Sequence, residues 1–94
     1  MNKMTRTPTL MIPQPKLQDD QFALIMSDGE TGHILTTNGD VYLGDGNDVY
    51  LIFNNIADAK DYVVSAQTKN SSLEFTLFNS KYVLEEFWKA PKHS

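Results

Sequence analysis

Along the chain the apolar positions change period twice, and those changes predict the elements. Gln21-Phe22-Ala23-Leu24-Ile25-Met26 is a short apolar run that reads as a first strand. Ser27-Asp28-Gly29-Glu30-Thr31-Gly32 follows as turn chemistry, because Asp-Gly supplies the backbone freedom a tight turn needs. His33-Ile34-Leu35-Thr36-Thr37 predicts a second strand, closed by Asn38-Gly39, a strong hairpin signal. Asp40-Val41-Tyr42-Leu43 predicts a third, and Gly44-Asp45-Gly46-Asn47-Asp48 turns the chain again. Val49-Tyr50-Leu51-Ile52-Phe53 is the most apolar strand. Its lack of alternation implies burial on both faces, either as a central strand or as one covered by a helix.

The period then becomes helical. Ile56, Ala59, Tyr62, Val63 and Ala66 recur at spacings of three and four and form one apolar stripe. Asn55 suits the N-cap and Asp58 falls in the first turn, where negative charge favours the helix dipole. Asn70 with Ser71 and Ser72 ends the helix. From Leu73 the period is two: Leu73, Phe75 and Leu77 point one way, Glu74 and Thr76 the other, which predicts a half-buried strand. After the Asn79-Ser80 turn, Lys81 to Trp88 fits a returning strand or a helix capped by Ser80. The short turn after a well-formed strand favours the strand.

Strands, one helix and strands again predict an α+β fold: an antiparallel β-meander with one helix packed on a face and a C-terminal strand pair. The segment from Gly39 to Asn70 is its centre. Residues 1–20 hold Pro8, Pro13 and Pro15 and read as an extended proline-containing arm. Its Leu10-Met11-Ile12 cluster could pack on the domain or pair along a sheet edge. Residues 21–90 form the single domain and residues 91–94 a polar tail.

Composition narrows the function. Ninety-four residues make one domain. A chain of this size buries roughly 60% of the surface its unfolded form exposes, enough for one modest core. The absence of cysteine removes disulfides, thiolate catalysis and Cys-based zinc sites. It also fits a reducing cytoplasm. No apolar run approaches the ~20 residues of a membrane helix, and no apolar segment follows Lys3 and Arg6 as in a secretory signal. A membrane partner is therefore not expected.

The formal net charge is −4, from 12 acidic and 8 basic side chains. That sign repels phosphates and attracts basic partners. The one arginine and the lysines are scattered and form no basic stripe, so nucleic-acid binding is not expected.

Chemistry is sparse. His33 and His93 are the only imidazoles. No nucleophile-elbow, phosphate-loop or dinucleotide fingerprint occurs. Asp45-Gly46-Asn47-Asp48 resembles an oxygen-rich calcium loop but lacks the register such a loop requires, and a hairpin turn accounts for it. No cofactor, metal or catalysis is expected. What remains is acidic and aromatic surface: Asp40, Asp45 and Asp48 in turns, and Glu74, Glu85 and Glu86 on the C-terminal pair with Tyr82 and Trp88. Acids around aromatic anchors suit a basic protein, since charge speeds encounter and rings anchor the contact. These eight residues are the candidate partner-binding set. A pocket built from His33, Tyr42, Tyr50 and Tyr62 would be needed for a small enzyme or ligand-binding domain. Self-association through an open sheet edge, including Leu10-Met11-Ile12, is the alternative to an inhibitor.

The segments Gly39-Asp40-Val41-Tyr42-Leu43 and Leu51-Ile52-Phe53-Asn54-Asn55-Ile56-Ala57-Asp58-Ala59-Lys60-Asp61-Tyr62, with Leu73-Glu74-Phe75-Thr76-Leu77-Phe78, resemble small bacterial immunity proteins of polymorphic toxin systems. The resemblance covers about half the chain. The proline-rich start and the end of the chain depart from it. It implies a cytoplasmic protein that binds a cognate toxin and blocks its active site, commonly through acidic side chains when the toxin is a nuclease.

Overall fold

Turn signals and periodicity resolve into four strands and one α-helix in a computed structural model, which describes residues 12–44, 46 and 48–93. The strands are β1 (Phe22–Asp28), β2 (Tyr50–Phe53), β3 (Leu73–Phe78) and β4 (Leu84–Trp88). The helix α1 spans Ile56–Lys69, and a 3₁₀ turn covers Pro91–His93. The sheet is antiparallel throughout, in the order β2-β1-β3-β4. This is an α+β protein with α1 packed against the strands and a C-terminal strand pair. No helix among the described residues is long and apolar enough to cross a membrane.

The helix forms where its cap and stripe predict. The Asn55 side chain accepts from the Asp58 N–H at 2.8 Å, satisfying one of the orphan donors of the first turn. Ala59 and Val63 are buried against Leu24, Met26, Leu73, Phe75 and Leu77, which the alternation of β1 and β3 turns to the same face. Tyr62 meets Phe53 and Phe75 edge-on or tilted, with ring centroids 5.8 and 6.1 Å apart. At the other end the Gln67 side chain donates to the carbonyls of Leu73 (3.0 Å) and Lys89 (3.1 Å), tying the helix to both β3 and the end of β4.

The opposite face of the sheet carries a second core: Ala23, Ile25, Val49 and Tyr50, covered by Ile12 and Leu17 of the N-terminal arm. The arm from Ile12 onward thus lies on the domain, while Leu10 and Met11 lie outside the described residues. Ile12 is buried and is not available to pair with another chain. In the C-terminal tail the Lys92 N–H donates to the Ser71 carbonyl at 3.0 Å, and the Lys92 ammonium pairs with Glu30.

Two expectations need correction. The segments 33–37 and 40–43 do not become sheet strands; they make only the isolated bridges Ser27–Ile34 and Leu35–Val41. The reason is competition for one edge. The tight turn at Asp28–Gly32 returns His33 and Leu35 to the end of β1, where Asp28 donates to the His33 carbonyl and Leu35 to the Met26 carbonyl, each at 2.9 Å. The next positions along β1, from Ile25 to Phe22, are taken by β2. The chain therefore leaves β1 after Leu35. Second, Val49–Phe53 does not supply a central strand: β2 is an edge. Of the two readings of its apolar run, cover by the helix holds. Leu51 and Phe53 pack towards α1, Val49 and Tyr50 lie under the arm, and Ile52 is left 40% exposed.

Candidate partner-binding surface

The residues after Leu35 form a loop held at several points. Asn38-Gly39 turns the chain, with Gly39 at φ 93° and its N–H on the Thr36 carbonyl. Thr36 donates its N–H to the Asp40 carbonyl, and Tyr42 its N–H to the Ile34 carbonyl. Thr37 grips the far side through its hydroxyl, 2.7 Å from an Asp48 carboxylate oxygen, and through its N–H to the Asp48 carbonyl. The Tyr42 hydroxyl donates to the Gly46 carbonyl at 2.7 Å, so its ring is turned inward. This leaves Leu43 86% exposed and Val41 43% exposed, between the exposed carboxylates of Asp40 and Asp48. Asp45 lies outside the described residues.

Tyrosines organise the face beside that loop. The Tyr50 hydroxyl donates to the Ile12 carbonyl at 3.0 Å, and the Tyr82 hydroxyl donates to the Pro15 carbonyl. The two rings meet in a T at 6.1 Å, and Tyr82 also leans on Phe78. Burial pushes both phenol pKa values up, with repulsion from Tyr82 and Tyr42 adding to the effect at Tyr50. Tyr82 reaches this place through the β3–β4 turn, where it alone among the described non-glycine residues has positive φ, at 59°. The Asn79 side chain accepts from the N–H groups of Lys81 and Val83 and shapes that turn. Tyr82 is thus engaged internally by both its ring and its hydroxyl.

The other candidates are dispersed. Glu74 is half-buried at the start of β3, and its carboxylate accepts from the Ala90 N–H at 3.3 Å. Trp88 stands opposite Phe75 on the helix side and packs on that core. Glu86 stands opposite Leu77, and Glu85 is exposed at the irregularity where β4 shifts register against β3. The eight candidates therefore do not form one patch. Asp40 and Asp48 share the loop, Tyr82 belongs to the arm's anchorage, and the remaining described ones belong to β3 and β4.

The pocket of His33, Tyr42, Tyr50 and Tyr62 does not form. Tyr62 lies across the sheet from Tyr42 and Tyr50, and His33 is exposed with its Nδ1 2.9 Å from the Thr31 hydroxyl. Among the described residues no group of acids and histidines is placed to hold a metal ion.

Sequence reasoning missed the exposed apolar side chains. They include Leu43 and Val41 on the loop, Val83 just before β4, and Leu84 and Phe87 on β4. A signal existed for the loop: between Gly39 and Asp48 three glycines and three aspartates surround only three apolar residues, too many turn formers for a strand. Compared with models of protein families, with curated proteins and with solved structures, the chain matches none.

Proposed function

We propose that this protein is a non-catalytic binding protein that takes a basic protein partner on the loop between Gly39 and Asp48. The observation that carries the reading is Leu43, 86% exposed beside Val41 and between two exposed aspartates. An exposed leucine gains most when a partner covers it. The flanking carboxylates, in a stretch without a basic residue, would speed the approach of a positive surface. The net charge of −4 acts in the same direction at longer range. Hydrogen bonds from Thr37, Gly39 and Tyr42 support the described part of the loop from within, which lowers the ordering cost of binding there. With the resemblance to immunity proteins, the partner in this reading is a toxin or other basic effector in the bacterial cytoplasm, neutralised by occlusion and without a cofactor.

The test is affinity capture from lysate of the source organism at low and high salt, with the wild type beside Leu43→Ser and Asp40→Lys. A single basic protein should be retained by the wild type, weakened by salt and by Asp40→Lys. Leu43→Ser should lower its affinity by about tenfold, as removal of an interface anchor does. Added wild-type protein should suppress the activity of that partner at equimolar ratio. Retention unchanged by both loop variants would refute the loop as the site, and a partner left fully active would refute inhibition.

A further inference from the structure

We infer that the sheet face under the N-terminal arm is a peptide-binding groove with the arm as its built-in occupant, and that it takes in trans an extended peptide of a partner protein with the arm's own pattern, Ile-Pro-x-Pro-x-Leu. This does not rest on the reading of the acidic loop.

The arm meets the sheet as a ligand does, not as a strand. Among the described residues, no backbone group of residues 12–17 bonds to another backbone group. Two side-chain hydroxyls hold it instead: Tyr50 donates to the Ile12 carbonyl and Tyr82 to the Pro15 carbonyl. The prolines explain that spacing. Pro13 and Pro15 lack an N–H and fix their own φ, and each biases the residue before it towards extended backbone. A chain so restricted repeats every three residues. The carbonyls of Ile12 and Pro15 are three positions apart and fall on one side, where the two hydroxyls meet them. Pro13, Gln14 and Lys16 are exposed, while Ile12 and Leu17 are buried in one cluster with Ile25, Val49 and Tyr50, flanked by Phe78 and Tyr82. Aromatic-lined grooves take proline segments in this way, because the stiff backbone loses little entropy on docking.

The arm is also separable from the rest of the fold. None of residues 12–17 belongs to the core under α1, so that core stays closed when the arm leaves. The tether is a turn, in which the Gln21 N–H donates to the Gln18 carbonyl at 2.9 Å and the Gln18 N–H to the Gln21 side-chain oxygen at 3.0 Å. A tether this short holds the arm at an effective concentration on the order of millimolar. The arm of a second copy, with equal contacts and no tether, does not displace it. A partner's segment that fits the same groove better does.

The probe is the peptide Ile-Pro-Ala-Pro-Ala-Leu-Gln, which keeps the pattern and replaces the outward residues; its control has serine in place of isoleucine and leucine. With the wild-type full chain, excess peptide should quicken trypsin cleavage after Lys16 by displacing the arm, and the control should not. A cleavage rate unchanged by the peptide, or raised equally by the control, overturns the proposal. Anisotropy of the dye-labelled peptide is then read with the full chain carrying Ile12→Ser/Leu17→Ser, its folding checked by circular dichroism and Trp88 emission. The peptide should bind this variant roughly tenfold more tightly than the wild type, because the competing arm is weakened. Adding Tyr82→Phe should cost roughly fivefold, the loss of one hydrogen bond. Absence of binding to the folded variant overturns the groove. Sedimentation velocity of wild type mixed with the variant should show monomers; a mixed dimer would assign the vacated face to a second copy's arm and overturn the partner peptide.

Discussion

Tyr82 offers the sharpest check on how this domain is held together, because two opposing terms meet at one residue. Its backbone is left-handed at φ 59°, a conformation that costs a side-chain-bearing residue roughly 1 kcal/mol relative to glycine. Against that stand a hydroxyl bond to the Pro15 carbonyl and ring contacts with Tyr50 and Phe78 at 6.1 and 6.4 Å. The hydroxyl bond contributes about 0.5–1.5 kcal/mol. The two ring contacts together, with the apolar area they cover, contribute about 2 kcal/mol.

Tyr82→Phe should therefore destabilise by about 1 kcal/mol, and Tyr82→Ala by about 3. Tyr82→Gly should fall between them, about 1 kcal/mol better than alanine, because it loses the ring but relaxes the turn. Urea unfolding followed by the fluorescence of Trp88, the only tryptophan, gives the order directly from the midpoints if the slopes are equal. Limited trypsin digestion adds a local readout. Cleavage after Lys16, which is exposed on the arm, should quicken in the order Phe, Gly, Ala as the arm loses its anchor. Alanine as stable as glycine would refute the strain argument. A phenylalanine variant with wild-type stability and an equally protected arm would refute the anchoring role and return Tyr82 to the free surface.

Two further outcomes follow from particular contacts. Tyr50 and Tyr82 have phenol pKa values raised above the ordinary 10.0, so the folded state holds their protons more tightly than the unfolded chain does. Their contribution is complete below pH 10 and is lost as pH rises through the raised values. Stability should fall on that alkaline limb, and the fall should flatten in Tyr50→Phe/Tyr82→Phe by denaturant titration at each pH; an equally steep limb in the double variant refutes it. Gly29 is needed for space: a Cβ there would lie 2.9 Å from the Ser72 carbonyl oxygen, 3.0 Å from the Ala90 Cβ and 3.1 Å from the Glu74 Cδ. Gly29→Ala should cost about 1–3 kcal/mol, read as a lowered thermal midpoint, and an unchanged midpoint would show that this corner yields freely.

The elements that the chain determined by itself are those whose signals close within a few residues. Asn55 caps its own helix through the N–H three positions on, and the stripe from Ile56 to Ala66 is a property of one helix. The alternation of Leu73, Phe75 and Leu77 needs only the pleat, and the Asn79 turn is shaped by Asn79 itself. From these the α+β class and the C-terminal strand pair are legible, and the net charge of −4 is read from the composition.

What tertiary structure decided were the outcomes of competition between distant segments. Residues 33–37 have the pattern of a strand, but β2 occupies the stretch of β1 they would have needed. Apolar character on both faces of Val49–Phe53 reports cover, and sequence alone does not distinguish a strand flanked by strands from an edge lying between a helix and an arm. Tyr82 carries no local mark of its role, because the carbonyl it holds is 67 residues away. Exposure of Leu43 and Phe87 is likewise a remainder: it depends on where every other segment came to rest, which no short-range pattern records.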